Sequence, residues 1–443
     1  MEKLEEEHAS LLKERFDIIQ KRRDDENEDD LVLVFGLPPD MIDVEQVDEL
    51  GRTIPSNTGP QAPVRRERRA ARRQRHARRA KPRGAISSET EEVGDSTDAS
   101  LLPSDAWDFE EAIQKLRAKV KALFDDVKAR EFRDPKHGIG VWFGEWRTKY
   151  EDSWKNAWGG IGLVQAWEFW ARVEMVGWIP LDARTTYLTR VVVSLTSRRQ
   201  TPPRLEDFAW YSSLHDFSRP TGEEEPTPEE DLSIQMTSTV FVPRLNALLN
   251  AGALDPFSTR HIMRMLDLAE QLEAYLGIED VKYQVRSHYT LKVLADRIGV
   301  QSVLQTVAHG FRKVITTTRE QVKRFAGMNG SPATGFQPES PSARLQFMIR
   351  AARLLTNLLR WRRYTKERHG LGLLCGEILN DILLPLARGG WEVGGGDALR
   401  KASGCLFFSK SFCLRVPFTL QIVTTVPPDL IPVAVSLRLN SKS

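Results

Sequence analysis

Eight histidines are scattered along the 443-residue chain, at His8, His76, His137, His215, His261, His288, His309 and His369. None forms an HExxH pair or another spacing that would set two metal ligands on one helix face. Of the three cysteines, Cys375, Cys405 and Cys413, no two form a CxxC pair. Three cysteines cannot build a disulfide framework, which suits a reducing compartment and excludes a cysteine-based zinc site. There is no GxxxxGK[ST] loop, no GxGxxG after a strand pattern and no GxSxG elbow. The Gly394–Gly396 run follows no strand pattern and reads as a flexible turn. Carboxylates are abundant, yet no pair stands in an apolar setting that would move its pKa. These residues predict no enzyme, no metal, no cofactor and no small-molecule substrate.

One segment does carry a direct partner chemistry. Residues 65–83, RRERRAARRQRHARRAKPR, hold eleven Lys/Arg against one Glu, a local charge of +10. Its cations are Arg65, Arg66, Arg68, Arg69, Arg72, Arg73, Arg75, Arg78, Arg79, Lys81 and Arg83. Such a run binds phosphates by counterion release, with steep salt dependence and little sequence preference. Its Arg/Ala composition favours a helix that orders on RNA or DNA. The same run reads as a nuclear localisation signal, or as a solvated tail that pairs with nearby acids. A basic run carries no GC-rich specificity, which needs base-edge contacts from ordered side chains.

Charge is segregated around that segment. The formal net charge of the chain is only +2. Residues 1–106 nevertheless carry 18 Lys/Arg against 24 Asp/Glu, and the remainder 45 against 37. An acidic block, Asp24, Asp25, Glu26, Glu28, Asp29 and Asp30, precedes the arginines. The run SSETEEVGDSTD at 87–98 follows them and resembles a substrate for acidophilic kinases, where phosphate would deepen the negative charge. Intramolecular pairing between these blocks is one expectation. Residues 32–106 lack a sustained apolar period and are predicted to be a disordered linker. The charged N-terminus is no secretory signal, and no apolar run reaches the roughly 18 residues of a membrane span. The expected compartment is cytosol or nucleus, with no membrane partner.

Outside the linker the spacing is helical. Leu4, Leu11, Leu12, Phe16 and Ile19 predict a helix over 1–23, the end of a coiled coil or a solvated amphipathic helix, leading into the acidic block to 31. Phe109, Ile113, Leu116, Val120, Leu123 and Val127 step by three or four, with Asp105 as the expected cap. Further helices are predicted over 163–178, 181–197, 205–216, 239–252, 258–276, 284–298, 300–325, 342–368 and 371–388. Polar Pro/Gly loops fall at 218–231 and 327–341. Few stretches alternate with period two. The predicted class is all-α: stacked antiparallel helices in one large domain over 107–400, with a tail of uncertain character from 401 to 443.

Seven of the 11 tryptophans lie between Trp142 and Trp178. Trp142, Trp146, Tyr150, Trp154 and Trp158 recur every fourth residue, a step of about 40° on a helix, so they predict one slowly winding stripe. It reads as core packing against the following helix or as a recognition surface, since aromatics anchor interfaces. Arg147, Lys149 and Lys155 are its only basic neighbours, a weak match to a single-strand stacking platform.

The segment FGEWRTKYEDSWKNAW, with ARVEMVGWIPL at 171–181, resembles the C-terminal domain of the GC-rich sequence DNA-binding factor-like family, which includes Pax-binding and splicing-factor relatives. Matching positions are Trp146, Tyr150, Asp152, Ser153, Trp154, Arg172, Glu174, Trp178, Pro180 and Leu181. VPRLNALLNAGALDPFST at 242–259 and ILLPLARGGWEVGG at 382–395 add to it, as do IIQKRRDDENEDDL and DELGR nearer the N-terminus. The resemblance implies a nuclear, non-catalytic protein of pre-mRNA splicing, in the late intron-lariat spliceosome, beside a G-patch protein and a DEAH-box helicase. It also carries the alternative behind the family's name, a DNA-binding transcriptional regulator of GC-rich promoters. No helix-turn-helix, zinc finger or basic zipper is visible to favour that alternative, and a helical scaffold without a nucleic-acid role is a third reading. Relatives carry a longer N-terminal region, so the chain is expected to be a fungal-type or truncated member. Residues 402–422, ASGCLFFSKSFCLRVPFTLQI, change character abruptly, which predicts a retained intron or gene-model error that transcript sequencing across the junction would reveal.

Overall fold

The computed structural model describes residues 1–35, 64, 67–72, 74, 101–181, 205–219, 232–276, 289–327, 340–366 and 368–388, and every regular element among them is helical. The all-α class therefore holds over the described residues. The helices are α1 (Glu2–Phe35), α2 (Pro103–Ala122), α3 (Arg130–Arg133), α4 (Ile139–Lys149), α5 (Glu151–Asn156), α6 (Gly159–Met175) and α7 (Ala209–Ser218). They continue with α8 (Leu232–Met236), α9 (Val242–Leu248), α10 (Thr259–Tyr275), α11 (Tyr289–Gly327), α12 (Ser340–Thr365), α13 (Leu371–Glu377) and α14 (Leu384–Arg388). Wider π turns, Thr237–Phe241, Leu249–Ala253 and Ile378–Leu383, join α8 to α9, follow α9 and link α13 to α14. Most of the predicted linker, the helix expected over 181–197 and residues 389–443 lie outside the described residues, and with them the segment 402–422.

Two compact units partition the chain. The first comprises Met1–Asp17, Leu101–Asp255 and Arg260–Gly310; the second comprises Ile18–Ser100, Pro256–Thr259 and Phe311–Ser443. In the first, α2 starts with Pro103 in its opening turn, where the missing N–H costs nothing and φ is already helical. Leu102, in extended geometry, is the N-cap and no side-chain cap bond forms, which corrects the expectation of an Asp105 cap. Ile113, Leu116 and Val120 are buried at the predicted spacing. Leu116 and Val120 pack with Val173 and Val176, and Leu4 and Leu11 of α1 lean on this cluster. Asn246 of α9 bonds Ser302 of α11 at 2.9 Å. The π turn after α9 closes at Gly252, whose φ is +93° and where a Cβ would come within 2.6 Å of Phe16. Only glycine fits both demands.

In the second unit, Phe311, Ile315, Val322 and Phe325 of α11 and Phe347, Leu354, Leu358 and Trp361 of α12 are buried. Arg344 is buried with them at 1% exposure. Its guanidinium donates to Leu386 O at 2.7 Å and to Val34 O at 3.2 Å, so one side chain serves carbonyls at the C-terminal ends of two helices. Helix α1 does not end near residue 23. It runs through the acidic block to Phe35, because those carboxylates meet cations from distant parts of the chain. Helix α11 likewise runs unbroken through the expected boundary at 298–300.

Candidate interaction surfaces

Two groups of predicted residues reach defined environments. The first is the aromatic segment. The five-ring stripe is not on one helix: the backbone breaks at Tyr150 (φ −138°, ψ 59°), ending α4 and starting α5, and again at Trp158. Trp146 and Trp154 turn towards each other with ring centroids 5.2 Å apart, and Trp146 Nε1 donates to Ser153 Oγ at 3.4 Å. Phe143 and Phe217 complete this half-buried group. Gly159 makes room for it, since a Cβ there would stand 2.2 Å from the Trp154 ring.

The other three rings face outward. Trp142 is 50% exposed, Tyr150 65% and Trp158 70%. Trp142 meets Phe132 edge to face at 5.8 Å, and Trp170 Nε1 bonds the Phe132 carbonyl at 3.2 Å. Trp158 has φ +54°, a left-handed conformation that a bulky side chain rarely takes and that is strained at about 1–2 kcal/mol. Neither single reading of the stripe describes it: two rings pack and three are presented to solvent. Asp152 and Glu151 lie in the first turn of α5, where negative charge complements the helix dipole.

The later motif residues knit the first unit together. Arg172 grips Glu5 with both oxygens, at 3.0 Å and 2.6 Å, and reaches Glu168 at 3.3 Å. Glu174 accepts the N–H groups of Ala209 at 2.7 Å and Trp210 at 3.2 Å, capping α7 from α6. Trp178 is buried against Phe208 and Phe241, both at 5.3 Å. Pro180 and Leu181 are buried beside it, and the Leu181 carbonyl takes a hydrogen bond from Arg264. These positions hold the scaffold of the first unit together.

The second group is the arginine segment. Residues 67–72 are helical and belong to the second unit with the acidic turns of α1. Arg68 pairs with Asp29 at 2.8 Å and Asp25 at 3.4 Å; Arg72 pairs with Asp30 at 3.0 Å and Glu26 at 3.4 Å. Four-residue spacing on both helices thus gives each guanidinium two carboxylates. Arg350 of α12 adds a third cation, 2.6 Å from Asp30, and donates to Asn27 at 3.1 Å. Asp29 and Asp30 are only 2% exposed at their side chains. The intramolecular pairing expected of these blocks is present for Arg68 and Arg72. Arg69 lies on the same turn, half-exposed. Arg65, Arg66, Arg73, Arg75, Arg78, Arg79, Lys81 and Arg83 lie outside the described residues. Sequence reasoning did not find Arg350, which sits on α12 some 320 residues from Asp30 and carries no local signal.

Among the described residues no three His, Cys, Asp or Glu gather where a metal could sit, and no helix is long and apolar enough to cross a membrane. Cys375 is buried, and burial pushes its thiol pKa up to about 11, away from nucleophilic use. No family model matches the chain. Over 208 residues it is 24% identical to PAX3- and PAX7-binding protein 1 of Homo sapiens, covering 46% of this chain and 20% of that protein. The Mus musculus protein of the same name is 25% identical over 206 residues, with the same shares. The chain therefore matches about a fifth of the length of these curated relatives.

Proposed function

We propose that this chain is a non-catalytic nuclear protein of pre-mRNA splicing, acting by docking protein partners on its helical scaffold and touching RNA through its basic segment. The observation that carries the reading is the outward set Trp142, Tyr150 and Trp158, half or more exposed beside the bonded Arg172 and Glu174 and the buried Trp178, Pro180 and Leu181. Large exposed aromatics on a short helix and at the breaks beside it are the kind of group that anchors an interface. The relatives are named for binding PAX3 and PAX7, which supports a protein-binding role for this chain. The narrower splicing assignment, with a G-patch protein and a DEAH-box helicase as partners, follows the family resemblance of the motifs. Import through the arginine segment supplies the nuclear location.

Affinity purification from nuclear extract, with and without nuclease, tests this. Late spliceosome proteins, including a G-patch protein and a DEAH-box helicase, should remain after nuclease treatment and be lost from a Trp142→Ala/Trp158→Gly variant. Recovery of promoter-bound factors alone would reject the splicing role and favour the regulator of GC-rich promoters.

A further inference from the structure

We propose that the acidic turns of α1 mimic a phosphate backbone and clamp Arg68 and Arg72, so that a nucleic acid engages these arginines only by displacing carboxylates of the same chain. The proposal rests on the RNA-contacting part of the function above and adds its control. A guanidinium pairs with a carboxylate and a phosphate through the same charge-assisted bonds. Here the spacing is matched on both sides. Arg68 and Arg72 lie one helical turn apart, and each faces an acid pair also one turn apart, Asp25 with Asp29 and Glu26 with Asp30. The α1 face therefore presents negative charge at a repeat an arginine helix can follow.

The arrangement also lets Arg72 leave without orphaning Asp30, one of the two most buried acids of the clamp. Removing one partner of a buried ion pair is costly because the remaining charge loses its compensation. Asp30 avoids this, since Arg350 holds the same oxygen that Arg72 binds, at 2.6 Å. Arg68 sits at the open edge, 33% exposed and paired to an Asp25 that is 38% exposed. Exchange with a polyanion would start there and pass to Arg72. A phosphate strand must then compete with an intramolecular partner, and binding is weaker than the arginine count suggests.

Asp25→Asn/Asp29→Asn in the full chain tests the idea, with a labelled single-stranded RNA of about 20 nucleotides titrated across a salt series. The variant should bind about fivefold more tightly and show a steeper salt dependence, because Arg68 loses both of its carboxylates and becomes available to phosphate. In parallel, trypsin should cut after Arg68 faster in the variant than in the wild type, since both of its carboxylate partners are gone. Equal cleavage rates would overturn the clamp. Faster cleavage with unchanged RNA affinity and salt slope would overturn the competition. Absence of RNA binding by both proteins at low salt would remove the RNA contact from the proposed function and the competition with it, while the trypsin result still reports on the clamp. Asp25→Asn alone, at the exposed edge, should move both readouts in the same direction by less, and serves where the double variant does not fold.

Discussion

His8 lies on the second turn of α1 with 0% exposure, accepting a 3.4 Å hydrogen bond from the Gly177 N–H and lying 3.2 Å from Arg244. Burial, then the positive charges of Arg244 and Arg117, hold its pKa near 3 against an ordinary 6.5, while Glu5 pulls weakly the other way. Between those values the unfolded chain binds a proton that the folded chain refuses. Stability from this residue is therefore complete above about pH 6.5 and drains away as pH falls towards 3. Glu5 behaves differently. Burial raises its pKa, but the Arg172 hydrogen bond and nearby arginine charges lower it overall, so its contribution fades only below about 4.5. The window from 6.5 to 4.5 thus isolates His8 from Glu5. We expect the thermal midpoint to fall through that window and the His8→Gln protein to show a flatter profile there. Parallel profiles would show that His8 is not the group being titrated.

At the scale of elements, the aromatic segment separates packing from presentation, and two substitutions resolve them. Trp154→Ala empties a half-buried site among Phe143, Trp146 and Phe217 and should cost about 2–3 kcal/mol, short of the about 3–5 for a fully buried tryptophan. Trp158→Gly removes an exposed ring from a left-handed backbone position that glycine takes freely, so stability should change by no more than about 1 kcal/mol. Urea melts of the two proteins decide it, and a large loss from Trp158→Gly would place that ring in the fold instead. The stripe itself was legible, and so were the buried face of α2 and the extent of α10, because three- and four-residue periods are local. The break at Tyr150 was not, since no glycine or proline marks it, whereas Gly159 and Gly160 mark the one at Trp158. The extension of α1 through Asp24–Asp30 was hidden for another reason. Six acids in seven residues look like solvated chain until Arg68, Arg72 and Arg350 are known to meet them. The motif Arg172-x-Glu174 pointed to a special segment, yet the residues each would hold, Glu5 and the start of α7, lie well away in sequence.

At the scale of the whole molecule, α1 and α11 each contribute to both compact units. In the first unit α1 supplies Glu5 to Arg172 and His8 to Gly177; in the second it supplies Asp30 to Arg350 and Val34 to Arg344. A chain lacking residues 1–35 should therefore lose cooperative thermal unfolding in both units, seen as broad melts and rapid proteolysis within 101–310 and 311–388 alike. Survival of either unit with an unchanged melt would show that it folds without this helix. The division of the tryptophans has a consequence of its own for light. Trp167, Trp178, Trp210 and Trp361 are at most 2% exposed, whereas Trp142 and Trp158 stand in water. Intrinsic fluorescence should then contain a blue, acrylamide-resistant population and a red, quenchable one. Trp107, 73% exposed, adds to the second population from outside the proposed docking surface, so a Trp107→Phe protein carries the optical reporter: a partner that covers Trp142 and Trp158 would shift its emission and shield it from quencher.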